Sequence, residues 1–185
     1  MPTTLKLVVL GTAGVGKSCM IIQYVEKSFA SDYEPTISNL FEKDVQVKNR
    51  TYHATIQDTA GMETSISLRE NATKNRDCYL LIYSIDDRAS FEEITSIHNE
   101  LLRTNSDPIS CVVIGNKNDI SDESREVSYE EGEKLAKSLD ATFIETSAKT
   151  NCNIEEAFQI ALELAVQKYP QQDPSTKPKH RCILL

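Results

Sequence analysis

The sequence lacks the features of a membrane-spanning or secreted protein. None of its apolar runs reaches the roughly 20 residues that a membrane-spanning helix needs, and its N-terminus has no secretory pattern. Cysteines are odd in number, and their spacing fits neither a metal site nor a disulfide framework, which favours a reducing, cytosolic environment. The five cysteines are Cys19, Cys78, Cys111, Cys152 and Cys182.

The chain has no excess of positive charge except in its last 17 residues. The formal net charge is −8, and the last 17 residues contribute +2, so residues 1–168 carry −10. An acidic body of this kind argues against nonspecific binding to nucleic acid. The length of 185 residues and the hydrophobic fraction of 39% are typical of one globular domain with an ample core.

Residues 11–18 read Gly-Thr-Ala-Gly-Val-Gly-Lys-Ser, which matches the phosphate-binding pattern G-x-x-x-x-G-K-S. The apolar run 5–10 predicts a buried strand before this motif, and residues 19–25 can continue as a helix after it. Glycines let backbone N–H groups approach phosphate oxygens, and the helix N-terminus favours negative charge. Lys17 can bridge the outer phosphates and Ser18 can ligate magnesium. An accidental glycine-rich turn is the alternative, which the flanking elements disfavour.

Strand patterns and helix patterns alternate along the rest of the chain. Residues 28–37 are interpreted as an exposed loop, and residues 62–76 as a mobile segment. Strands are predicted at 40–47, 52–57, 78–85, 111–115 and 142–144, with a hairpin turn at 48–50. This alternation predicts an α/β fold with a mostly parallel sheet that helices cover on both faces.

The predicted helices are recognised by apolar faces and capping residues. The first presents Phe91, Ile94, Ile97, Leu101 and Leu102. The second opens with a capping box of Ser128 and Glu131 and runs through Leu139. The last is capped by Asn153, and its inner face is formed by Ile154, Ala157, Phe158, Ala161, Leu162 and Ala165.

Polar motifs follow three of the predicted strands. They are Asp58-Thr59-Ala60-Gly61, Asn116-Lys117-Asn118-Asp119 and Glu145-Thr146-Ser147-Ala148-Lys149. Sheets of this kind bind ligands at the edge where parallel strands end, so these motifs and the phosphate-binding loop are expected on one rim. An acidic residue followed by a glycine at a strand end predicts a second magnesium contact at Asp58.

Together, these segments resemble a small GTPase of the Ras superfamily, closest in pattern to the Ras and Rap branch. The resemblance covers residues 5–166 and resumes at the last four residues. It depends on five motifs in the expected order: residues 11–18, Thr36 after Tyr33-Glu34-Pro35, residues 58–61, residues 116–119 and residues 147–149. It implies a three-layer α/β/α G domain at residues 1–168, built on a six-stranded, mostly parallel sheet with one antiparallel edge strand. A flexible, hypervariable tail is expected at residues 169–185.

The resemblance also implies what the site binds, namely GTP or GDP with Mg²⁺. The Asp119 carboxylate is expected to accept two hydrogen bonds from guanine, which adenine cannot offer on the same edge. Asn116 would brace the loop and contact the base, and the Lys117 stem would pack along the ring. The Ala148 N–H would donate to the guanine oxygen, and Phe29 would cover the base. The further nucleotide contacts are Gly11, Ala13, Gly14, Val15, Gly16, Lys17, Ser18, Cys19, Tyr33, Ser147 and Lys149.

For catalysis, the resemblance implies magnesium ligation by Ser18 and Thr36, with Asp58 acting through water. The expected catalytic residues are Lys17, Thr36, Gly61 and Met62. Thr36 and the Gly61 N–H would sense the γ-phosphate, and loss of that phosphate would release residues 31–39 and 60–76, an order–disorder switch.

Two positions depart from the Ras pattern of catalysis. Met62 occupies the position of a glutamine that orients the attacking water, and a thioether cannot donate a hydrogen bond. Ala13 occupies the position of the first glycine of a pair, and its methyl group would lie near the γ-phosphate. We therefore expect slow intrinsic hydrolysis and a poor response to arginine-finger activators. Alternatively, a partner supplies the missing side chain, since Rap proteins also lack the glutamine.

Two further functions are alternatives to a slowly hydrolysing GTP/GDP switch in signal transduction. One is a module that stays loaded with GTP and has negligible hydrolysis, which Ala13 and Met62 would favour. The other is an ATP-using P-loop enzyme such as a small kinase, which Asp119 and Ala148 argue against.

The expected protein partners are an exchange factor, a GTPase-activating protein and effectors, through residues 31–41 and 60–76. Partner identity cannot be transferred from Ras, because Ser38 and Asn39 replace acidic residues and Ser65 and Ala72 replace aromatic ones.

The ending Cys182-Ile183-Leu184-Leu185 predicts that a geranylgeranyltransferase modifies Cys182. A single lipid chain anchors only marginally, so a second signal is expected from Lys177, Lys179, His180 and Arg181. The expected location is the cytoplasmic face of a membrane, most simply the plasma membrane.

Overall fold

The computed structural model describes residues 4–28, 38–59 and 73–169. Its strands are β1 (Thr4–Leu10), β2 (Ser38–Val47), β3 (Arg50–Thr59), β4 (Cys78–Ser84), β5 (Cys111–Asn116) and β6 (Thr142–Glu145). Its α-helices are α1 (Lys17–Glu26), α2 (Arg88–Thr104), α3 (Tyr129–Ser138) and α4 (Ile154–Gln167), with a short 3₁₀-helix at Asp122–Ser124. The strands form one sheet in the order β2-β3-β1-β4-β5-β6, in which only β2 is antiparallel to its neighbour. The predicted α/β fold and its antiparallel edge strand are confirmed.

The central strands are buried on both faces, which is why they read as continuous apolar runs. All seven residues of β4 are buried. Along β1, Leu7 and Val9 enter one hydrophobic cluster, whereas Val8 and Leu10 enter another on the opposite face. The first cluster includes residues of α1 and α4, and the second includes residues of α2 and α3. Helices therefore cover both faces of the sheet and form the three predicted layers.

The helices agree with the sequence in most but not all details. Ser128 and Glu131 form the predicted capping box at the start of α3. Leu102 was wrongly assigned to the inner face of α2: its side chain is 52% exposed, and His98 is buried on that face instead. Asn153 stands at the start of α4, but it adopts a left-handed conformation and makes no side-chain cap. Its amide donates instead to the Glu145 carbonyl oxygen at 2.9 Å.

The β2–β3 hairpin forms one edge of the sheet. Lys48 and Asn49 both have positive φ values, 48° and 64°, which fits the two-residue turn whose twist matches that of a hairpin. Strand β3 runs to Thr59, so Asp58 lies inside the strand rather than after it. On β2, Leu40 is 55% exposed, because it lies on the same face of the strand as Glu42, Asp44 and Gln46, which are also exposed.

No helix among the described residues is long and apolar enough to cross a membrane. Among the cysteines within the described ranges, Cys78 and Cys111 are buried in the core and form no disulfide bond.

Candidate nucleotide-binding site

The phosphate-binding loop lies between the end of β1 and the start of α1, and two of its glycines are required by their surroundings. A Cβ atom on Gly11 would lie 2.2 Å from the Ile82 carbonyl oxygen. Gly16 has φ 95°, and a Cβ atom there would lie 2.4 Å from the Asn116 amide nitrogen. Neither position has room for a side chain, so the loop backbone approaches β4 and β5 closely. Ala13 and Gly14 lie on the exposed side of the loop, and Val15 is buried beneath it.

The Lys17 ammonium is turned back onto this loop. Its Nζ donates to the carbonyl oxygens of Gly11 at 3.1 Å and Thr12 at 2.7 Å, and the residue is only 6% exposed. Burial lowers the pKa of Lys17 to about 8, although the nearby Asp58 carboxylate acts in the opposite direction. A buried cation bound mainly by carbonyl oxygens is well placed to receive an anion.

Ser18 and Asp58 bring two oxygen groups together beside the loop. The Ser18 hydroxyl donates to the Asp58 Oδ2 at 2.6 Å, and Asp58 is 1% exposed at the end of β3. Cys19 follows in the first turn of α1, where it is half-buried and its pKa is raised by burial. Hydroxyl and carboxylate oxygens are the ligands that Mg²⁺ prefers.

The Asn116 side chain connects three segments of the site. Its Nδ2 donates to the Val15 carbonyl oxygen at 2.8 Å, while its Oδ1 accepts from the Thr146 hydroxyl at 3.1 Å and from the Ala148 N–H at 3.4 Å. Asn116 is 2% exposed, so loss of any of these bonds would leave a buried polar group unpaired. The end of β5 thus fixes the phosphate-binding loop relative to the segment that follows β6.

The Asp119 carboxylate is directed toward that same segment. Its Oδ1 accepts from the Ser147 hydroxyl at 2.6 Å, and its Oδ2 lies 3.7 Å from the Lys149 Nζ. The Asp119 side chain is 15% exposed, whereas that of Lys149 is 70% exposed. The Ala148 N–H, expected to meet a guanine oxygen, donates to Asn116 here. The predicted base-binding residues that the structure describes, Asn116, Lys117, Asp119 and Ala148, therefore lie together at the carboxyl ends of β5 and β6.

Some residues that support the site were not predicted. Lys117 Nζ lies 3.4 Å from Asp86 Oδ1, just beyond β4. Arg125 binds Glu145 with both guanidinium nitrogens, at 2.6 and 3.0 Å, immediately before the segment that holds Ala148. The position of Asp86 and Glu145 at or just beyond the ends of strands could have marked them as candidates. Their partners could not be identified, because these depend on which strands are neighbours in the sheet.

The donor set of the site fits a magnesium-bound nucleotide. A buried lysine faces the loop, a serine–carboxylate oxygen pair lies beside it, and the buried Thr12 hydroxyl has no hydrogen-bond partner among the described residues. The other predicted site residues lie outside the described residues; they are Phe29, Tyr33, Thr36, Gly61, Met62 and Cys182.

A phosphate-binding loop between β1 and α1, a sheet of this order, and Asn116 and Asp119 beyond β5 together give the protein the fold and site of the small-GTPase class. Comparison with known proteins narrows the class. The model of the Ras family matches residues 6–167. The Ras-like protein rasC of Dictyostelium discoideum is 40% identical over the full length of both chains. Ras-like protein 1 of Saccharomyces cerevisiae is 42% identical over 86% of this chain, which spans about half of that protein. The chain belongs to the Ras family.

Proposed function

We propose that this Ras-family GTPase is a membrane-anchored switch that binds Mg²⁺ with GTP or GDP at the site described above and hydrolyses GTP slowly. The observation that supports nucleotide binding most is the Asn116 side chain, which bonds the phosphate-binding loop and the base-side segment at once. Because Asn116 holds the predicted phosphate site and the predicted base site in a fixed relation, the arrangement suits a nucleotide, which has both a phosphate group and a base. Calorimetry on nucleotide-free protein tests this: GDP should bind far more tightly than ADP.

The residues of the chain would act on the nucleotide in distinct ways. The Lys17 ammonium would exchange its bonds to the loop carbonyls for bonds to phosphate oxygens, which are stronger because the acceptor is then charged as well as the donor. Ser18 and Asp58, with Thr36, would hold the magnesium ion, Asp58 acting through water. When bound, that ion supplies positive charge beside the outer phosphates. Asp119 would select guanine at the other end of the site.

We attribute slow hydrolysis to two side chains, Ala13 and Met62. Ala13 is exposed on the loop, where its methyl group would narrow the approach to the γ-phosphate. Met62 has no group that donates a hydrogen bond to a water molecule. A GTP-loaded module with negligible turnover is the alternative, and the nucleotide bound to protein purified from its own cells distinguishes the two.

Replacing Met62 with glutamine should raise the single-turnover rate of intrinsic GTP hydrolysis by about tenfold or more, because the amide can orient the attacking water. The measurement is phosphate release from preloaded protein. Met62→Leu is the matched control, since it keeps the apolar bulk and should leave the rate unchanged. A wild-type rate equal to that of ordinary Ras proteins, with no gain in Met62→Gln, would refute slow hydrolysis caused by Met62.

We also propose that Cys182 is geranylgeranylated and anchors the protein to the cytoplasmic face of a membrane, most simply the plasma membrane. In cell fractionation, Cys182→Ser should move the protein from the membrane fraction to the supernatant. Cys152→Ser is the matched control, because it removes a thiol away from the C-terminus. Persistence of Cys182→Ser in the membrane fraction would contradict lipid anchoring at this residue.

A further inference from the structure

The carboxylate of Asp86 contacts a side chain that the proposed function assigns to the base. Asp86 lies just beyond β4, and Lys117 lies just beyond β5. The two strands are parallel neighbours, and the register pairs Ser84 with Asn116, so both chain segments leave the sheet side by side. The resulting distance between Lys117 Nζ and Asp86 Oδ1 is 3.4 Å.

Asp86 is itself held in place. The Ser84 hydroxyl, which is buried, donates to the same oxygen of Asp86 that Lys117 approaches. The Ile85 N–H donates to the Asn116 carbonyl oxygen at 3.1 Å, which fixes the backbone between the two residues. Burial raises the pKa of Asp86, but the hydrogen bond from Ser84 and the charge of Lys117 outweigh it, so the net pKa is lowered. Asp86 is therefore an ionised group on a fixed support at neutral pH.

The Lys117 side chain has to be held in one conformation if it is to pack along the base. Its backbone is left-handed, with φ 69°, and its side chain has the many rotamers of any lysine. Within the described ranges, its ammonium group contacts the Asp86 carboxylate. The side chains are 37% and 32% exposed, so the pair is partly screened by solvent and its effect on the bound state should be moderate.

We propose that Asp86 is a positioning residue that holds the Lys117 side chain along the base and thereby slows release of the nucleotide. This role rests on the proposed function, because it requires a guanine nucleotide in the site. Asp86 acts through Lys117 and does not contact the base itself. Loss of its charge lets the lysine side chain leave the base more often, and the nucleotide then dissociates faster.

The test measures the release of a fluorescent GDP analogue in the presence of magnesium. Asp86→Asn should accelerate release about two- to fivefold at low salt, which is the range expected for a partly exposed ion pair. The ratio of variant to wild-type rates should approach one at about 1 M salt, since screening then weakens in the wild type the ion pair that the variant already lacks. Asp86→Glu keeps the charge and should restore most of the slow release. Asp107→Asn, an equal charge change at an exposed site, should have no effect.

A double-mutant cycle separates positioning from a purely structural effect. Lys117→Met keeps the apolar stem of the side chain and removes the ammonium group. In that background, Asp86→Asn should no longer change the release rate. The same acceleration in both backgrounds, or none in the wild-type background, would overturn the positioning role while leaving nucleotide binding intact. Failure of the wild-type protein to bind the analogue would instead overturn the proposed function and this inference with it.

Discussion

Replacing Asp119 with asparagine is expected to change the preferred base from guanine to xanthine and to lower the affinity for GDP by at least about 100-fold. The carboxylate accepts from the Ser147 hydroxyl through Oδ1 and is 15% exposed. Guanine would present two donors to it, whereas the asparagine amide brings its own donor against the guanine amine. Xanthine has a carbonyl oxygen at that position, so the exchanged amide can bond it.

Competition binding with GDP, XDP and ADP on nucleotide-free protein measures the change. Asp122→Asn is the matched control, because Asp122 lies three residues further on, is exposed, and should leave all three affinities unchanged. Retention of GDP selectivity by Asp119→Asn would show that another group reads the base.

Replacing Lys17 with methionine should reduce affinity for GTP by about 100-fold or more while leaving the fold intact. The Lys17 ammonium is the buried cation of the loop, and it currently bonds the carbonyl oxygens of Gly11 and Thr12. Removing it would deprive bound phosphates of a charge-assisted donor. Removing a desolvated charge costs the nucleotide-free protein little, so its thermal midpoint should stay the same or rise.

Calorimetry with GTP and a thermal melt without nucleotide test the two halves of this expectation. Lys134→Met serves as the control, since Lys134 is exposed on α3 and should alter neither result. Binding of GTP by Lys17→Met within twofold of wild type would mean that Lys17 does not contact the phosphates. A large drop in the thermal midpoint would mean that its loop bonds are structural.

Much of the fold could be predicted because the central strands are recognisable in the sequence as continuous apolar runs. Strands β4 and β5 are buried at every position, so their apolar runs are continuous, and the motifs that follow each strand mark its end. The order of the motifs then indicates which edge of the sheet forms the site. The hairpin and the α3 capping box were predictable for a similar reason, since each is determined by residues adjacent in sequence.

The supporting contacts could not be predicted, because they join residues far apart in the chain. The pairing of Asp86 with Lys117 depends on β4 lying beside β5, and nothing local indicates that adjacency. Leu102 was misplaced because four other apolar residues at helical spacing did not reveal where the buried stripe ended. Asn153 does not cap α4 through its side chain, because a capping residue usually has an extended backbone and Asn153 is left-handed. The identity of the residue does not determine that conformation.

The chain just beyond the end of α4 is bound to the end of the sheet at which β4 begins. The Tyr169 hydroxyl lies 3.0 and 3.1 Å from the two carboxylate oxygens of Asp77, which also accepts from the Lys6 N–H at 2.7 Å. These residues lie near the start of β4. Lys6 is separated from Gly11 of the phosphate-binding loop by five residues of extended chain, which is about 16 Å. Under the proposed anchoring, the tether would leave from the pole opposite the nucleotide. The nucleotide site would then face away from the membrane, and a partner protein could reach it from solution.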